Sequence, residues 1–282
     1  MTTIKDLIAR YWDYLEFERM LRSATCTGYI SDLRQLDRHL AYKPVETIIR
    51  DDVREYQRTM AEQGMAESTI RRRIHGYRVF WSWLDMEGIA SKSTTSNLIL
   101  PRRRRKTPKF MSEEQLRTLI ATPAATPRES LAWALYAWLG LRFNEVFKLM
   151  AKDVRLEDHA LNIRESKSDD RTLPIPNTLF PALERAVAGL QPDDRIFANW
   201  SKNKMYKDFY AHLKVCGLDG LGFTFRALRH SFVTHRLDRD VPIHVVKDLA
   251  GHKRIDTTAV YAHASASGKR IAIENSPLAE VK

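Results

Sequence analysis

The stretch "NLILPRRRRKTPKF" at residues 97–110 constrains the fold more than any other part of the chain. It contains two prolines and six basic residues but no acidic residue. Such a segment has no apolar face to bury, and each proline removes a backbone donor, so we expect neither a helix nor a central strand there. We predict a basic linker over 97–110 between domains at 1–96 and 111–282. The linker either lies along phosphate groups of a partner or is simply solvated.

The first domain shows four helical patterns. In the first of them, "TIKDLIARYWDYLEFERM", apolar residues recur at intervals of three and four, which is typical of an amphipathic helix. The fourth pattern, "AESTIRRRIHGYRVFWSWLDMEG", combines an aromatic stripe with Arg71, Arg72, Arg73 and Arg78. We predict that these arginines lie opposite the aromatic stripe and give an all-helical domain one basic face.

The second domain begins with "SEEQLRTLI", where Ser112 and Gln115 have the spacing of a capped helix start. The segment "ESLAWALYAWLGLRFNEVFKLM" is apolar almost all round as far as Gly140, which indicates a buried helix. In "VRLEDHALNIRESKSDDRTLPIP", β-type residues on either side of "SKSDD" predict a short hairpin. Helical patterns then return. The fold class predicted is mainly α, with a small β-sheet or hairpin in the C-terminal domain.

The charge of the chain favours a polyanion as its partner. The 46 Lys and Arg exceed the 35 Asp and Glu, for a formal net charge of +11, although a generic basic surface is an alternative. The two cysteines lie far apart, so we predict no disulfide framework and no cysteine zinc site, and a reducing cytoplasm fits. No apolar run is long enough to span a membrane, and the charged N-terminus does not resemble a signal peptide.

Two pairs of charged residues in the second domain suggest a binding site. Arg142 and Glu145 are three residues apart at the end of the apolar helix. They either form a local ion pair or orient a guanidinium toward an anion. Arg226 and Arg229 are also three apart and therefore share a helix face. Two like charges there destabilise a helix unless an anion lies between them.

Several other reactive side chains carry little signal on their own. Lys167 lies at the tip of the predicted hairpin, where most lysines are solvated. His252 follows a glycine at a predicted helix end, as an ordinary C-capping histidine does. Tyr261 is nine residues further on, and most tyrosines are packing residues. His230 and His235 are five apart, which takes them off a shared helix face, so we predict no metal site.

Five motifs follow one another along the second domain: "LGLRFNEV", "SKSDDRTLPIP", "ALRHSFVTH", "LAGH" and "TTAVYAH". Their order and separations resemble those of the tyrosine recombinases, or phage integrases, which include the Xer and Cre proteins. The resemblance covers the second domain strongly, and the helical first domain is similar in kind to the core-binding domain of that family. It implies a two-domain C-clamp around duplex DNA, with a catalytic domain and C-terminal tail over 111–282.

The resemblance also implies an enzyme that cuts and rejoins DNA strands without metal, ATP or another cofactor. Arg142 and Arg229 would bind the non-bridging oxygens of the scissile phosphate. Lys167 would protonate the leaving 5′ oxygen, and His252 would hydrogen-bond the phosphate. Tyr261 would attack and form a 3′-phosphotyrosine. Fixed cations suit the charge that develops in this transfer, and a tyrosine of pKa about 10 must lose its proton as it attacks.

Two further positions follow from the family pattern. Glu145 matches the acidic residue that supports the first arginine. Arg226 departs from the pattern, because the family usually has histidine three residues before the second arginine. Arginine cannot accept a proton, so we expect Arg226 to act as a donor to the phosphate and proton acceptance to fall elsewhere. The predicted DNA contacts are Arg71, Arg72, Arg73, Arg78, Arg102, Arg103, Arg104 and Arg105.

The implied partner is double-stranded DNA, bound by a homotetramer that synapses two sites. The apolar cluster at residues 271–273 either docks on a neighbouring subunit or packs within its own. We expect no arm-binding domain ahead of residue 1, which favours a simple recombinase of the Xer or Cre kind. Whether a second recombinase or an accessory protein is needed stays open. So do the target site, the choice among integration, excision, inversion and dimer resolution, and the chromosomal, plasmid, transposon or viral origin.

Other classes of protein remain as alternatives. A type IB topoisomerase uses nearly the same chemistry to relax DNA as a monomer. A DNA-binding protein that has lost catalysis would account for Arg226 but not for the rest of the catalytic set. A helical scaffold that binds no nucleic acid leaves the five ordered motifs unexplained.

Overall fold

The chain forms two compact units, Met1–Arg105 and Lys106–Lys282. A computed structural model describes residues 2–101, 108–164, 170–255 and 257–258. Within those ranges both units are mainly helical, and the second also holds a three-stranded sheet. The predicted fold class, mainly α with a small sheet in the C-terminal part, is confirmed. None of the helices in these ranges is long and apolar enough to cross a membrane.

The described part of the first unit contains five α-helices. They are α1 (Ile4–Asp13), α2 (Ser23–His39), α3 (Arg50–Glu62), α4 (Glu67–Met86) and α5 (Ser93–Ser96). The sequence pattern predicted one α-helix through the first stretch, but α1 passes into a π-helical turn at Tyr14–Glu18. The wider turn accompanies the burial of two adjacent side chains, Tyr14 and Leu15.

Helix α4 supplies most of the aromatic core of the first unit. Phe80, Trp81 and Trp83 are fully buried, as the predicted aromatic stripe requires. The ring of Phe80 packs edge-on against Tyr11 of α1, with 4.8 Å between ring centroids. This is a favourable arrangement for two aromatic rings. It fixes α4, and therefore the arginines along it, against the rest of the unit.

The described part of the second unit contains seven α-helices. They are α6 (Glu113–Ala121), α7 (Pro127–Leu139), α8 (Phe143–Phe147), α9 (Phe180–Val187), α10 (Lys202–Val215), α11 (Phe225–Leu237) and α12 (Ile243–Ala250). The antiparallel sheet has the order β1 (Val154–Arg155), β2 (Ala160–Ile163), β3 (Arg171–Pro174). Strands β2 and β3 form the predicted hairpin, with Ile163 opposite Arg171.

Local sequence explains where two of these helices begin and end. Helix α6 starts with the predicted capping box, in which Gln115 N donates to Ser112 Oγ at 3.2 Å and Ser112 N donates to Gln115 Oε1 at 2.9 Å. Helix α7 ends at Gly140, whose φ of 60° lies in the left-handed region. A Cβ on Gly140 would lie 2.4 Å from the Phe232 ring of α11. Glycine thus lets the end of α7 approach α11, which carries two of the candidate site arginines.

Candidate active site

Three arginines from distant parts of the chain meet at the C-terminal end of α12. They donate to three consecutive carbonyl oxygens, Arg171 to Leu249, Arg229 to Ala250 and Arg142 to Gly251. The last carbonyl groups of a helix have no partner within the helix and carry partial negative charge. Cationic donors therefore stabilise this end, and they hold together the residues on which the predicted chemistry depends.

Glu145 accepts hydrogen bonds from two of these arginines. Its Oε1 accepts from Arg142 Nη1 at 2.9 Å. Arg171 donates to both carboxylate oxygens, from Nη1 to Oε1 and from Nη2 to Oε2, each at 2.9 Å. Burial alone raises the pKa of Glu145, but the hydrogen bonds and charges of Arg171 and Arg142 outweigh it and lower the pKa overall. The carboxylate is therefore ionised at neutral pH.

Arg142 and Arg171 differ in how far they reach solvent. The Arg142 side chain is 30% exposed and the Arg171 side chain only 10% exposed. Arg142 directly precedes α8, where its backbone N–H donates to Glu145 Oε2 at 2.7 Å. The local ion pair, one of the two alternatives left by the sequence, is thus present. Arg142 is therefore the more solvent-accessible of these two arginines.

Arg229 lies on the buried side of α11. Besides Ala250, it donates from Nη1 to the carbonyl oxygen of Gly140 at 2.8 Å. One guanidinium therefore ties the end of α7 to the end of α12. A guanidinium has five N–H groups in a plane, so two contacts on different nitrogens set its orientation.

His252 is buried directly after the end of α12. Gly251, the residue before it, has a φ of 67° and ends the helix in the left-handed region. His252 Nδ1 lies 2.8 Å from Thr258 Oγ1. Burial, together with the nearby charges of Arg229 and Arg142, lowers the pKa of His252 to about 3. The imidazole is therefore neutral at neutral pH.

Arg226 and His230 occupy the edge of the same region. Arg226 is exposed on α11, whereas Arg229 one turn later is buried. His230 is partly buried, and this burial and the charges of Arg226 and Arg229 lower its pKa to about 4. No functional role was predicted for His230, yet it is near enough to His252 to contribute to the lowered pKa of that residue.

Six of the predicted site residues lie outside the described residues. They are Lys167, Tyr261, Arg102, Arg103, Arg104 and Arg105. Lys167 belongs to the segment between β2 and β3, and Tyr261 follows the last described residue, Thr258, by three positions. Their roles stay predictions from the sequence.

The four predicted DNA-binding arginines of α4 do not form one basic face. Arg72 is half-exposed and pairs with buried Asp32. Arg73 is buried, with Nε 3.4 Å from the same Asp32 carboxylate, so its predicted surface position is wrong. Successive residues on an α-helix point about 100° apart. Three consecutive arginines therefore cannot all lie opposite the aromatic stripe.

Arg71 and Arg78 stay on the partly exposed side of α4. Arg71 donates to the carbonyl oxygen of Pro101 at 2.9 Å. Arg78 donates to the carbonyl oxygens of Thr95 and Leu98. Both side chains therefore hold the segment that leads out of the first unit, a structural role that the sequence did not suggest.

The sequence missed two residues that contact the candidate site. Arg171 stood inside the quoted motif "SKSDDRTLPIP" but received no role. Thr258 is one of the two threonines before Tyr261, and its hydroxyl contacts His252. Arg171 could have been noticed because it lies on the buried side of a short strand. A buried arginine is rarely unpaired, so this position predicts an acidic partner.

Comparison with known proteins gives the family. Residues 109–267 match the model of the phage integrase family, and residues 8–88 match the N-terminal SAM-like domain of phage integrases. The chain therefore belongs to the phage integrase family, as the five motifs predicted.

Curated relatives and solved structures agree with this assignment. The tyrosine recombinase XerC of Herpetosiphon aurantiacus is 29% identical over 279 residues, covering 92% of this chain and 90% of the relative. A tyrosine recombinase of Pseudothermotoga lettingae is 27% identical over 267 residues, covering 91% and 93%. A crystal structure of a lambda integrase dimer bound to a COC′ core site has a TM-score of 0.75 at 17% identity, covering 93% of this chain and 95% of that one. The last likeness shows the shared fold.

Proposed function

We propose that this protein is a site-specific DNA recombinase that cuts and rejoins strands through a 3′-phosphotyrosine intermediate. The observation that carries the proposal is the convergence of Arg142 and Arg229 on adjacent carbonyl oxygens of the α12 end, directly beside His252. Two guanidiniums and an imidazole gathered in this way form a ready site for one phosphodiester. Membership in the phage integrase family supplies the class of reaction.

In this mechanism the protein stabilises the charge of the transferring phosphoryl group. Arg142 and Arg229 bind its non-bridging oxygens and stay charged at any working pH. The Tyr261 hydroxyl loses its proton and attacks phosphorus, the bond to the 5′ oxygen breaks, and Lys167 gives that oxygen a proton. The product is a 3′-phosphotyrosine and a free 5′ hydroxyl. Attack by a 5′ hydroxyl reverses the step, so rejoining needs no external energy.

His252 and Arg226 can both donate hydrogen bonds to the phosphate, but they differ in charge. His252 is neutral, so it donates from the ring nitrogen that carries its single proton. If Nδ1 accepts from Thr258, that proton is on Nε2. Arg226 is exposed at the edge of the site and binds the phosphate as a permanent cation. Neither residue takes the Tyr261 proton in this proposal, and water is the acceptor.

The first unit and the linker add contacts to the phosphate backbone. Arg71, Arg72 and Arg78 of α4 and the linker arginines Arg102–Arg105 are the proposed contacts, and Arg73 is removed from the set because it is buried. Affinity for DNA that depends on phosphate contacts of this kind falls as the salt concentration rises. Double-stranded DNA is the proposed partner, and the two free cysteines are compatible with a cytoplasmic site of action.

We also propose that the active form is a homotetramer joined by the C-terminal tail. A groove of about 370 Å³ on the second unit lies between α6, α7 and α11. Apolar side chains line it, including Ile120, Trp138 and Phe232, and Arg117, Arg236 and Arg239 border it. The tail "RIAIENSPLAEVK" at 270–282 contains an apolar cluster at residues 271–273, which matches the apolar lining of the groove on a neighbouring subunit.

A plasmid that carries two copies of the target site tests the function. Strand exchange between the sites would yield deletion or inversion products, which support the proposal. Relaxed plasmid without exchange would indicate topoisomerase activity instead. Bound but unchanged plasmid would indicate a DNA-binding protein.

Deletion of residues 270–282 tests the tetramer. The truncated protein should bind a single site as before but fail to bring two sites together in a gel-shift or single-molecule assay. Unchanged synapsis and recombination would contradict a role for the tail in assembly.

A further inference from the structure

Arg171 makes three side-chain hydrogen bonds within the candidate site, although no role was assigned to it. It forms two parallel hydrogen bonds with Glu145, a residue 26 positions away in the chain. Its Nε donates at 3.0 Å to the carbonyl oxygen of Leu249, 78 positions away. A single side chain of β3 therefore holds both Glu145, which pairs with Arg142, and the last turn of α12.

The geometry requires a guanidinium at this position. The planar fork meets both oxygens of one carboxylate while its Nε points to a third acceptor. A lysine ammonium is a point charge and cannot reproduce that arrangement. The Arg171 guanidinium also lies against Gly251, where a Cβ would be 2.7 Å from Nη1 and 2.9 Å from Cζ. The helix end that carries His252 is thus shaped around this one side chain.

Arg171 is unsuited to be a phosphate ligand itself, because its Nε, Nη1 and Nη2 all donate to protein acceptors. Its side chain is 10% exposed, that of Glu145 is 1% exposed, and both carboxylate oxygens already face it. Arg142 donates to the same carboxylate and is the more exposed of the two arginines. Arg171 acts on Arg142 through the carboxylate and on His252 through the backbone of α12.

We propose that Arg171 is a positioning residue for strand cleavage, which orients Arg142 through Glu145 and sets the turn that carries His252. The inference rests on the proposed recombinase function. It also links the hairpin to the site, because Arg171 follows Lys167 by four positions in the chain. Strand β3, which follows the proposed acid Lys167, is therefore anchored to Glu145. Glu145 in turn supports Arg142, the first proposed phosphate ligand.

The test compares Arg171→Met and Arg171→Lys with the unaltered protein in single-turnover cleavage. The probe is a duplex that carries the target site, with a nick that traps the covalent intermediate. A small displacement of a catalytic group slows reaction by roughly 100-fold, so we expect a loss of that order for Arg171→Met. The lysine variant should be intermediate, because it keeps the charge but not the fork. Affinity for the intact duplex should not change.

Combination with Glu145→Gln separates positioning from general stability. If Arg171 acts through Glu145, the two losses overlap, and Arg171→Met with Glu145→Gln cleaves no more slowly than the slower single variant. Independent losses that multiply would contradict the proposal. Arg155→Met is the matched control, because Arg155 is a half-exposed arginine of the same sheet in an ion pair with Asp158.

The outcomes distinguish this inference from the function on which it rests. If the unaltered protein forms no covalent intermediate with the nicked duplex, the recombinase function and this inference both fail. If the unaltered protein cleaves and both Arg171 variants cleave at its rate, only this inference is overturned. If Arg171→Met does not fold, Arg171→Lys decides alone, and an unchanged rate in it overturns the proposal.

Discussion

His252 Nδ1 lies 2.8 Å from the hydroxyl oxygen of Thr258, and both side chains are buried. The contact joins the residue proposed to bind the phosphate to the short segment that leads to the proposed nucleophile. When the hydroxyl donates to Nδ1, the single proton of the neutral imidazole is held on Nε2. In that arrangement Thr258 sets both the ring orientation and the tautomer of His252.

Thr258→Val should slow formation of the covalent intermediate without weakening DNA binding. The substitution keeps the volume but leaves a buried imidazole nitrogen without its partner, at a cost of about 1–3 kcal/mol. A cost at the lower end of that range in the transition state corresponds to about tenfold in rate. Single-turnover cleavage measures the effect, with Thr258→Ser as the control that keeps the hydroxyl. Equal rates for the valine and serine variants would rule out this role.

The stability of the protein should fall as the solution is acidified. The pKa of His252 is lowered to about 3 and that of His230 to about 4, from an ordinary value of 6.5. Below about pH 6.5 the unfolded chain takes up protons at these positions while the folded chain does not, so the free energy of unfolding decreases from about pH 7 toward about pH 4. Urea titrations at about pH 7 and about pH 5 measure this change.

A double variant identifies the two histidines as part of the cause. His230→Gln with His252→Gln removes both titrating groups, so its stability should decrease less on acidification than that of the unaltered protein. An equal decrease in both proteins would assign the effect to other groups.

Gly251→Ala should be more destabilising than Gly217→Ala. Both glycines have left-handed backbones, with φ of 67° and 68°, which cost an L-residue about 1–2 kcal/mol. A Cβ at Gly217 meets no atom within 4 Å, whereas one at Gly251 meets the Arg171 guanidinium at 2.7 Å. Only Gly251→Ala should also slow cleavage, because it displaces Arg171. Thermal unfolding and cleavage assays on both variants test this, and equal behaviour would contradict it.

Arg226→Ala should slow cleavage, since the loss of one donor to a developing anion costs about 100-fold or more. Arg226→His should restore part of the rate and introduce a pH dependence near the pKa of histidine, whereas arginine stays charged. Single-turnover rates over a range of pH measure both effects. Wild-type rates in both variants would remove Arg226 from the site.

Local sequence patterns predicted those parts of the fold that depend on near neighbours. The capping box between Ser112 and Gln115 and the hairpin around "SKSDD" are each set by a few consecutive residues, and both are present. The pairing of Arg142 with Glu145 was among the alternatives for the same reason, because three positions on a helix bring side chains together.

Contacts between distant parts of the chain could not be read from the pattern. Nothing local indicates that Arg171 meets Glu145, or that three arginines share the end of α12. The wrong surface position predicted for Arg73 has another origin. All the arginines of α4 were assigned to one face, although consecutive residues of a helix point in different directions. Burial of Asp32 beneath α4 gives that arginine a partner inside the unit.

The most direct test of the account is a search for protein covalently linked to DNA. The protein is incubated with fragmented DNA from around its own gene and then denatured, with Tyr261→Phe in parallel. We expect a denaturation-resistant adduct with the unaltered protein and none with Tyr261→Phe, and sequencing of the linked DNA gives the target site. An adduct that persists in Tyr261→Phe, or none from protein that still binds DNA tightly, even with nicked fragments, would contradict a nucleophilic role for Tyr261.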